Sequence, residues 1–166
     1  MIDQLTDEQY LRYSRHLLLD DFDVEQQLKL KNASVLLIGA GGLGCPVGLY
    51  LAASGVGKVI INDFDQVEVS NLQRQIAHSS CDIGQNKAVS LQQSMQAINP
   101  DIEVFVEQHC CDLHQLKNMM QEVDLVIVAT DTFSSRFMIN QACVETKTAQ
   151  ISAAAIGFEG QLIAFD

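Results

Sequence analysis

The sequence predicts an α/β protein: a doubly wound, mostly parallel sheet with helices on both faces, preceded by an N-terminal helical segment over residues 1–31. Three observations carry that expectation. Apolar runs suited to buried strands alternate with stretches of helical period, the order that builds a parallel sheet with crossover helices. The first such run, residues 35–38, breaks into Gly39-Ala40-Gly41-Gly42-Leu43-Gly44, which reads as a strand, a tight turn and a helix start. The second run ends in Asp63, nineteen residues after Gly44, where a nucleotide-binding βαβ unit places a carboxylate for the ribose hydroxyls.

Bulk properties narrow the class. With 166 residues, 48% of them hydrophobic, the chain suits one domain with a sizeable core. A formal charge of −11 weighs against nucleic acid or an anionic membrane as partner, since both require basic surface. The start, Met1-Ile2-Asp3-Gln4-Leu5-Thr6-Asp7-Glu8, has neither the basic nor the apolar region of a secretory signal, and no run is long enough to span a bilayer. The five cysteines are odd in number and form no C-x-x-C pair. A disulfide framework is therefore not expected, and a reducing cytoplasm is.

The elements follow in order. Residues 6–9 have the spacing of a capping box, opening a helix with Tyr10, Leu11, Tyr13 and Leu17 on its apolar side. Arg12, Arg15 and His16 are left over; on the residues alone the arginines are solvated or paired locally. A second helix is expected over residues 24–30. After the glycine turn, Pro46 sits in a first helical turn, Gly48, Ala52 and Ala53 allow close packing, and Gly55 and Gly57 end the helix. Residues 58–63 form the second strand. The polar connection 64–75 is too long for a simple turn, so it is functional or disordered. After an irregular stretch over 79–84, residues 86–98 read as a helix with Ala88, Val89, Leu91, Met95 and Ile98 inward, stopped by Asn99-Pro100. Lys87 in its first turn opposes the helix dipole, which points to a nearby anion, with a solvated lysine as the alternative. Residues 102–106 alternate like an edge strand, 113–122 are helical, and 124–129 form a continuous apolar run suited to a strand covered on both faces. That run ends in Thr130-Asp131-Thr132. A helix over 133–147, a strand over 149–153 and the start of another over 160–165 complete the chain. In the usual 3-2-1-4 order, strands one and four are neighbours, so Gly41, Asp63 and Asp131 converge on one ligand.

Two chemistries compete for that crevice. A nicotinamide-dependent oxidoreductase uses the glycine turn and Asp63 but has little use for Arg74, Lys87 and Asp131. ATP chemistry uses all of them: cations against the phosphates and a carboxylate for Mg²⁺. The motifs Arg12-Tyr13-Ser14-Arg15, Gly39 to Gly44, Asp63-Phe64-Asp65, Ser70-Asn71-Leu72-Gln73-Arg74-Gln75, Gly84-Gln85-Asn86-Lys87, Ala129-Thr130-Asp131 and Gly157-Phe158-Glu159-Gly160-Gln161 occur in this order across nearly the whole chain. Together they resemble the ubiquitin-activating-enzyme-like adenylyltransferases, the family of the molybdopterin-synthase and thiamine-biosynthesis sulfur-carrier adenylyltransferases. The resemblance implies a single Rossmann-like ATP-binding domain over 1–166. Its implied reaction is adenylation of the C-terminal glycine of a small ubiquitin-fold sulfur carrier ending in Gly-Gly. It also implies a nucleotide site made of Gly39, Gly41, Gly42, Gly44, Asp63, Ser70, Asn71, Leu72, Gln73, Arg74, Lys87, Asp131 and Thr132. Arg74, Lys87, Asp131 and Arg15 would be catalytic, with Asp131 on Mg²⁺. Arg15 would reach across a homodimer to the partner's ATP.

Other residues are read on their own chemistry. Asp65 is a ligand or, in the blander reading, a loop carboxylate. Cys45 inside the helix that follows the turn could have a lowered thiol pKa or simply pack. Cys110 and Cys111 suggest no chemistry, and His78, His109 and His114 show no ligand spacing. Thr132 stands where close relatives carry Asn. Relatives also continue well past residue 166, with two C-x-x-C pairs for structural zinc that this sequence lacks, so the chain reads as a shortened form. Leu162, Ile163 and Phe165 are then expected to require a partner, giving an oligomer or poor solubility. A non-catalytic module of the same fold and a nicotinamide-dependent oxidoreductase are the alternative functions.

Overall fold

The computed structural model describes residues 4–166, so Met1, Ile2 and Asp3 of the N-terminal segment and of the leader reading lie outside it. Helix α1 spans Asp7–Arg12 and opens on a reciprocal capping box in which Gln9 N donates to Thr6 Oγ1 and Thr6 N to Gln9 Oε1. The helix is shorter than the apolar pattern predicts. It ends at Arg12, so no stripe develops: Tyr10 and Leu11 are exposed, Leu17 is half-buried, and Tyr13 alone of the four is buried. Helix α2, Val24–Asn32, is capped by Asp23 and carries the fully buried Gln27.

The sheet has six strands in the order β3-β2-β1-β4-β5-β6. They are β1 Ser34–Ile38, β2 Lys58–Asn62, β3 Glu103–Glu107, β4 Leu125–Val128, β5 Ala149–Ile156 and β6 Glu159–Phe165. The first five pair in parallel, with β3 at the expected edge; β6 returns antiparallel along β5. Alternate residues of the central strands feed two separate cores. Leu37, Val59, Ile61 and Ile127 pack with Ala52 of α3 (Gly44–Ser54) and Leu91 and Met95 of α4 (Lys87–Ile98). Leu36, Ile60, Val126 and Val128 pack with Leu116 and Met120 of α5 (Leu113–Met120) and Ile139 and Ala142 of α6 (Phe133–Thr146). Burying each such aliphatic side chain contributes about 1.5–3 kcal/mol, and the two clusters clamp the sheet from both sides.

Two packing expectations are corrected. Ile98, in the last turn of α4, is exposed, because the inward position there is taken by the fully buried Asn99, whose amide donates to Tyr13 Oη and Ala52 O at 2.9 Å each. Gly57 does not end α3; Gly55 does, at φ +83, whereas a Cβ on Gly57 would stand 1.7 Å from Lys31 O. Among the described residues, no helix is long and apolar enough to cross a membrane.

Candidate nucleotide site

The carboxyl ends of β1 and β4 lie side by side, with Ile38 opposite Val128. The glycine turn leaves β1 at that point. Gly39 has φ +98, and a Cβ there would come within 2.9 Å of the Ala129 carbonyl atoms. A Cβ on Gly44 would stand 1.8 Å from Gly39 O. These two glycines close the turn. Gly41 and Gly42 face side chains instead: their Cβ positions lie 3.6 Å from Gln75 Nε2 and 3.7 Å from Arg74 Cδ. Among the described residues, four of the six α-helices carry side-chain N-caps; α3 and α6, which begin at the ends of β1 and β4, do not. Their first N–H groups therefore lack side-chain acceptors in the region that favours anions.

Asp63 sits directly on the turn. Its Oδ2 accepts from Ala40 N at 2.7 Å and its Oδ1 from Asp65 N at 2.8 Å. Burial pushes its carboxyl pKa up, with those two N–H bonds and the charge of Lys87 opposing the rise. Lys87 is 8% exposed, which rules out the solvated alternative. The anion it requires is supplied by the chain: Nζ lies 2.9 Å from Asp65 Oδ2. Asn86 caps α4 through Val89 N and donates to Asp63 O at 2.9 Å and to Asp65 O at 3.2 Å, so the acid segment is pinned to the start of that helix.

The connection 64–75 is ordered. Residues Val69–Asn71 form a 3₁₀ turn, and Asn71 is buried. Arg74 lies against Gly42 with its Nη1 on Ser70 O and Gln73 Oε1 at 3.1 and 3.0 Å, and with no carboxylate partner among the described residues. Ser70 donates to Glu68, and Leu72 is half-buried. Asp131 is exposed just beyond β4, and Thr132 caps α6 by position only, its hydroxyl going to Ser135 at 2.6 Å. Arg15 stands apart, exposed on the turns after α1 and without a hydrogen-bond or ion-pair partner among the described residues. The structure thus brings together the glycines, Asp63, Arg74 and Lys87, places Asp131 and Thr132 on the adjoining strand end, and leaves Arg15 outside the group.

Three residues received no role of their own in the sequence reading. His78 is buried beneath the turn, against Ala40 O and Ser90 Oγ. Gln75 is buried beside Gly41 with its Oε1 unpaired. Arg136 binds Thr130 O, Ala153 O and Ser152 Oγ, tying the ends of β4 and β5. None belongs to a periodic pattern; position alone, just after Arg74 or Asp131, was the available signal. Cys45 is fully buried and its thiol is pushed up to about 11 by that burial, so it packs and the lowered-pKa reading falls. All five thiols are unpaired, Cys110 and Cys111 included.

A glycine turn under uncapped helix ends, beside a guanidinium with no carboxylate partner among the described residues and a buried ammonium, offers the donors and positive charge that a polyphosphate requires; an acid at the end of β2 is of the kind that accepts from ribose hydroxyls. That defines a nucleotide-binding α/β protein. The ThiF family profile matches residues 13–166, and the chain belongs to that family. It is 43% identical over 159 residues to the sulfur carrier protein ThiS adenylyltransferase of Escherichia coli K12, covering 96% of this chain and 63% of that protein. It is 39% identical over 165 residues to the adenylyltransferase and sulfurtransferase MOCS3 of Aedes aegypti, covering 99% of this chain and 38% of that one. The crystal structure of E. coli MccB with ATP superposes with a TM-score of 0.80 at 34% identity, covering 88% of this chain and 46% of MccB. The chain spans 63%, 38% and 46% of the length of these three relatives, under two thirds of each.

Proposed function

We propose that the chain forms the nucleotide-binding part of an adenylyltransferase that activates the C-terminal glycine of a small ubiquitin-fold sulfur carrier with ATP. The observation that carries this reading is Arg74 laid against Gly42 with no carboxylate partner among the described residues, in the turn whose Ala40 N–H Asp63 holds and that leads into the uncapped start of α3. A hydride-transfer site does not require a free cation there; a triphosphate does. In the proposed reaction a carrier carboxylate oxygen attacks the α-phosphorus, forming the acyl-phosphate bond. The α–β P–O bond breaks, and pyrophosphate leaves with its electron pair. Asp63 accepts from the ribose hydroxyls. Gly39, Gly41, Gly42 and Gly44 let the backbone approach the phosphates, with Ser70, Asn71, Leu72 and Gln73 shaping the wall. Arg74 and Lys87 offset the charge that develops on the leaving group, Lys87 exchanging Asp65 for phosphate oxygen. Thr132 lies along the nucleotide.

Mg²⁺ fits the residues present. The Asp131 carboxylate is exposed and accepts no hydrogen bond from the described residues, and this hard ion needs only one or two carboxylates beside phosphate oxygens. Bound there, it would neutralise phosphate charge. Arg15, exposed and without a partner among the described residues, supports a homodimer in which that guanidinium serves the partner's ATP, and five thiols outside any disulfide support a cytoplasmic setting.

Pyrophosphate exchange into ATP, with a Gly-Gly-ended carrier, tests the reading. Carrier-dependent exchange is expected, falling by about 10²–10³ in Arg74→Ala and in Asp131→Ala. ATP binding with no exchange would instead identify a non-catalytic module, and NAD(H) binding with no ATP binding an oxidoreductase.

A further inference from the structure

We propose that His78 is a positioning residue of the nucleotide site, aiming the Gly41 N–H into the crevice by holding the Ala40–Gly41 peptide from beneath. The identity of the nucleotide rests on the adenylation reading above; the geometry does not. Ala40 is fully buried between Gly39 and Gly41. Its N–H donates to Asp63 Oδ2 at 2.7 Å, and its carbonyl lies 3.0 Å from His78 Nε2. A carbonyl oxygen only accepts, so Nε2 carries the ring proton. Burial pushes the His78 pKa below the ordinary histidine range and keeps the ring neutral, leaving Nδ1 to accept the Ser90 hydroxyl at 2.8 Å.

A trans peptide is planar, and its C=O and N–H point in opposite directions. Pulling the Ala40 carbonyl down onto the imidazole therefore turns the Gly41 N–H the other way, and that N–H has no acceptor within the described chain. Asp63 fixes the preceding peptide and His78 the following one, so two successive peptide planes of the turn are set by buried side chains. Cys45 Sγ, 3.3 Å from the same carbonyl, is a weaker second donor.

The same ring links the turn to both cation-bearing elements. His78 N donates to Gln75 O at 3.1 Å, and Gln75 N to Asn71 O at 3.0 Å, so His78 closes the segment that carries Arg74. Ser90 lies three residues after Lys87 in α4. With both ring nitrogens engaged inside the protein and only 7% of the residue exposed, the imidazole does not meet the ligand. It acts through the turn.

The test compares His78→Leu, which removes the donor, with His78→Gln, whose amide nitrogen occupies the place of Nε2. The readouts are the Gly41 and Gly42 amide resonances of ¹⁵N-labelled chain, the Kd for ATP, and Tm. In His78→Leu both resonances are expected to move and the Kd to rise about tenfold, the net worth of one hydrogen bond at its upper range. In His78→Gln resonances and Kd stay close to wild type. Equal impairment of the two variants, or unmoved turn resonances in a folded His78→Leu, overturns the proposal. Should His78→Leu fail to fold, Ser90→Ala decides: the same two resonances shift if His78 positions the turn and stay put if it does not. A wild-type chain that binds no ATP would sink the adenylation reading, while the amide spectra still settle the role of His78.

Discussion

At the residue scale, the glycines of the turn divide by what stands over them. Gly44 faces the Gly39 carbonyl oxygen, which a Cβ would approach to 1.8 Å, whereas Gly42 faces the flexible Arg74 side chain at 3.7 Å. A methyl group at Gly44 must displace backbone; one at Gly42 occupies only the space between the turn and the guanidinium. Gly44→Ala is therefore expected to cost about 2 kcal/mol or more of stability, read as a lower midpoint in urea. Gly42→Ala should stay within about 0.5 kcal/mol of wild type yet weaken ATP binding by about tenfold or more, read by calorimetric titration. A Gly42→Ala variant that keeps full ATP affinity would show that the ligand lies elsewhere. The glycines and Asp63 were legible in the sequence because each occupies a fixed offset in the βαβ pattern, and Lys87 because a cation in a first helical turn opposes the dipole. The partner of Lys87 was not: Asp65 lies twenty-two residues away in a stretch without period, and only the fold brings the two within 2.9 Å. His78 was given no role for the same reason.

The elements show where periodic reasoning holds and where it stops. β1, β2 and β4 were legible as continuous apolar runs because both of their faces are covered, one by each core cluster. α1 was misjudged because a six-residue helix is over before an apolar stripe can form, and its inward contacts are polar. Gln9 Nε2 donates to Asp101 Oδ2 at 3.3 Å, and Tyr13 Oη accepts from Asn99. The N-terminal segment is fastened to the sheet by such bonds. Gln27 of α2 is the clearest: fully buried, it donates to Ser54 O at the end of α3 and accepts at 2.9 Å from His16 Nδ1. Gln27→Leu fills the same space but strands both partners, so it should lower stability by about 1–3 kcal/mol. The midpoint in urea falls with m unchanged if the segment unfolds together with the sheet. A second transition would show that 4–33 melts on its own.

At the scale of the whole molecule, polar and apolar surface are unevenly spread. The β5–β6 hairpin carries Ile156, Phe158, Leu162, Ile163 and Phe165 exposed, and Phe133 and Phe137 of α6 are exposed as well. Strand alternation puts Ile156, Ile163 and Phe165 on one face of the hairpin and Leu162 on the other, so each face carries exposed apolar side chains. The outer edge of β6 adds a row of backbone groups open to pairing. The formal charge of −11 opposes association at long range, but that repulsion is screened beyond about 8 Å at physiological ionic strength, whereas apolar contact is not. The chain in isolation is therefore expected to self-associate, with a weight-average mass in sedimentation that rises with loading concentration and rises further with added salt. Leu162→Lys combined with Phe165→Lys places a charge on each face of β6, away from the glycine turn. This pair should return the chain toward the mass of a single 18.3 kDa copy while leaving ATP binding unchanged. A wild-type chain that stays at one copy across the whole concentration range would refute the expectation. Association that survives the double substitution would move the contact to another surface, such as the exposed Leu18 and Leu19 beside Arg15.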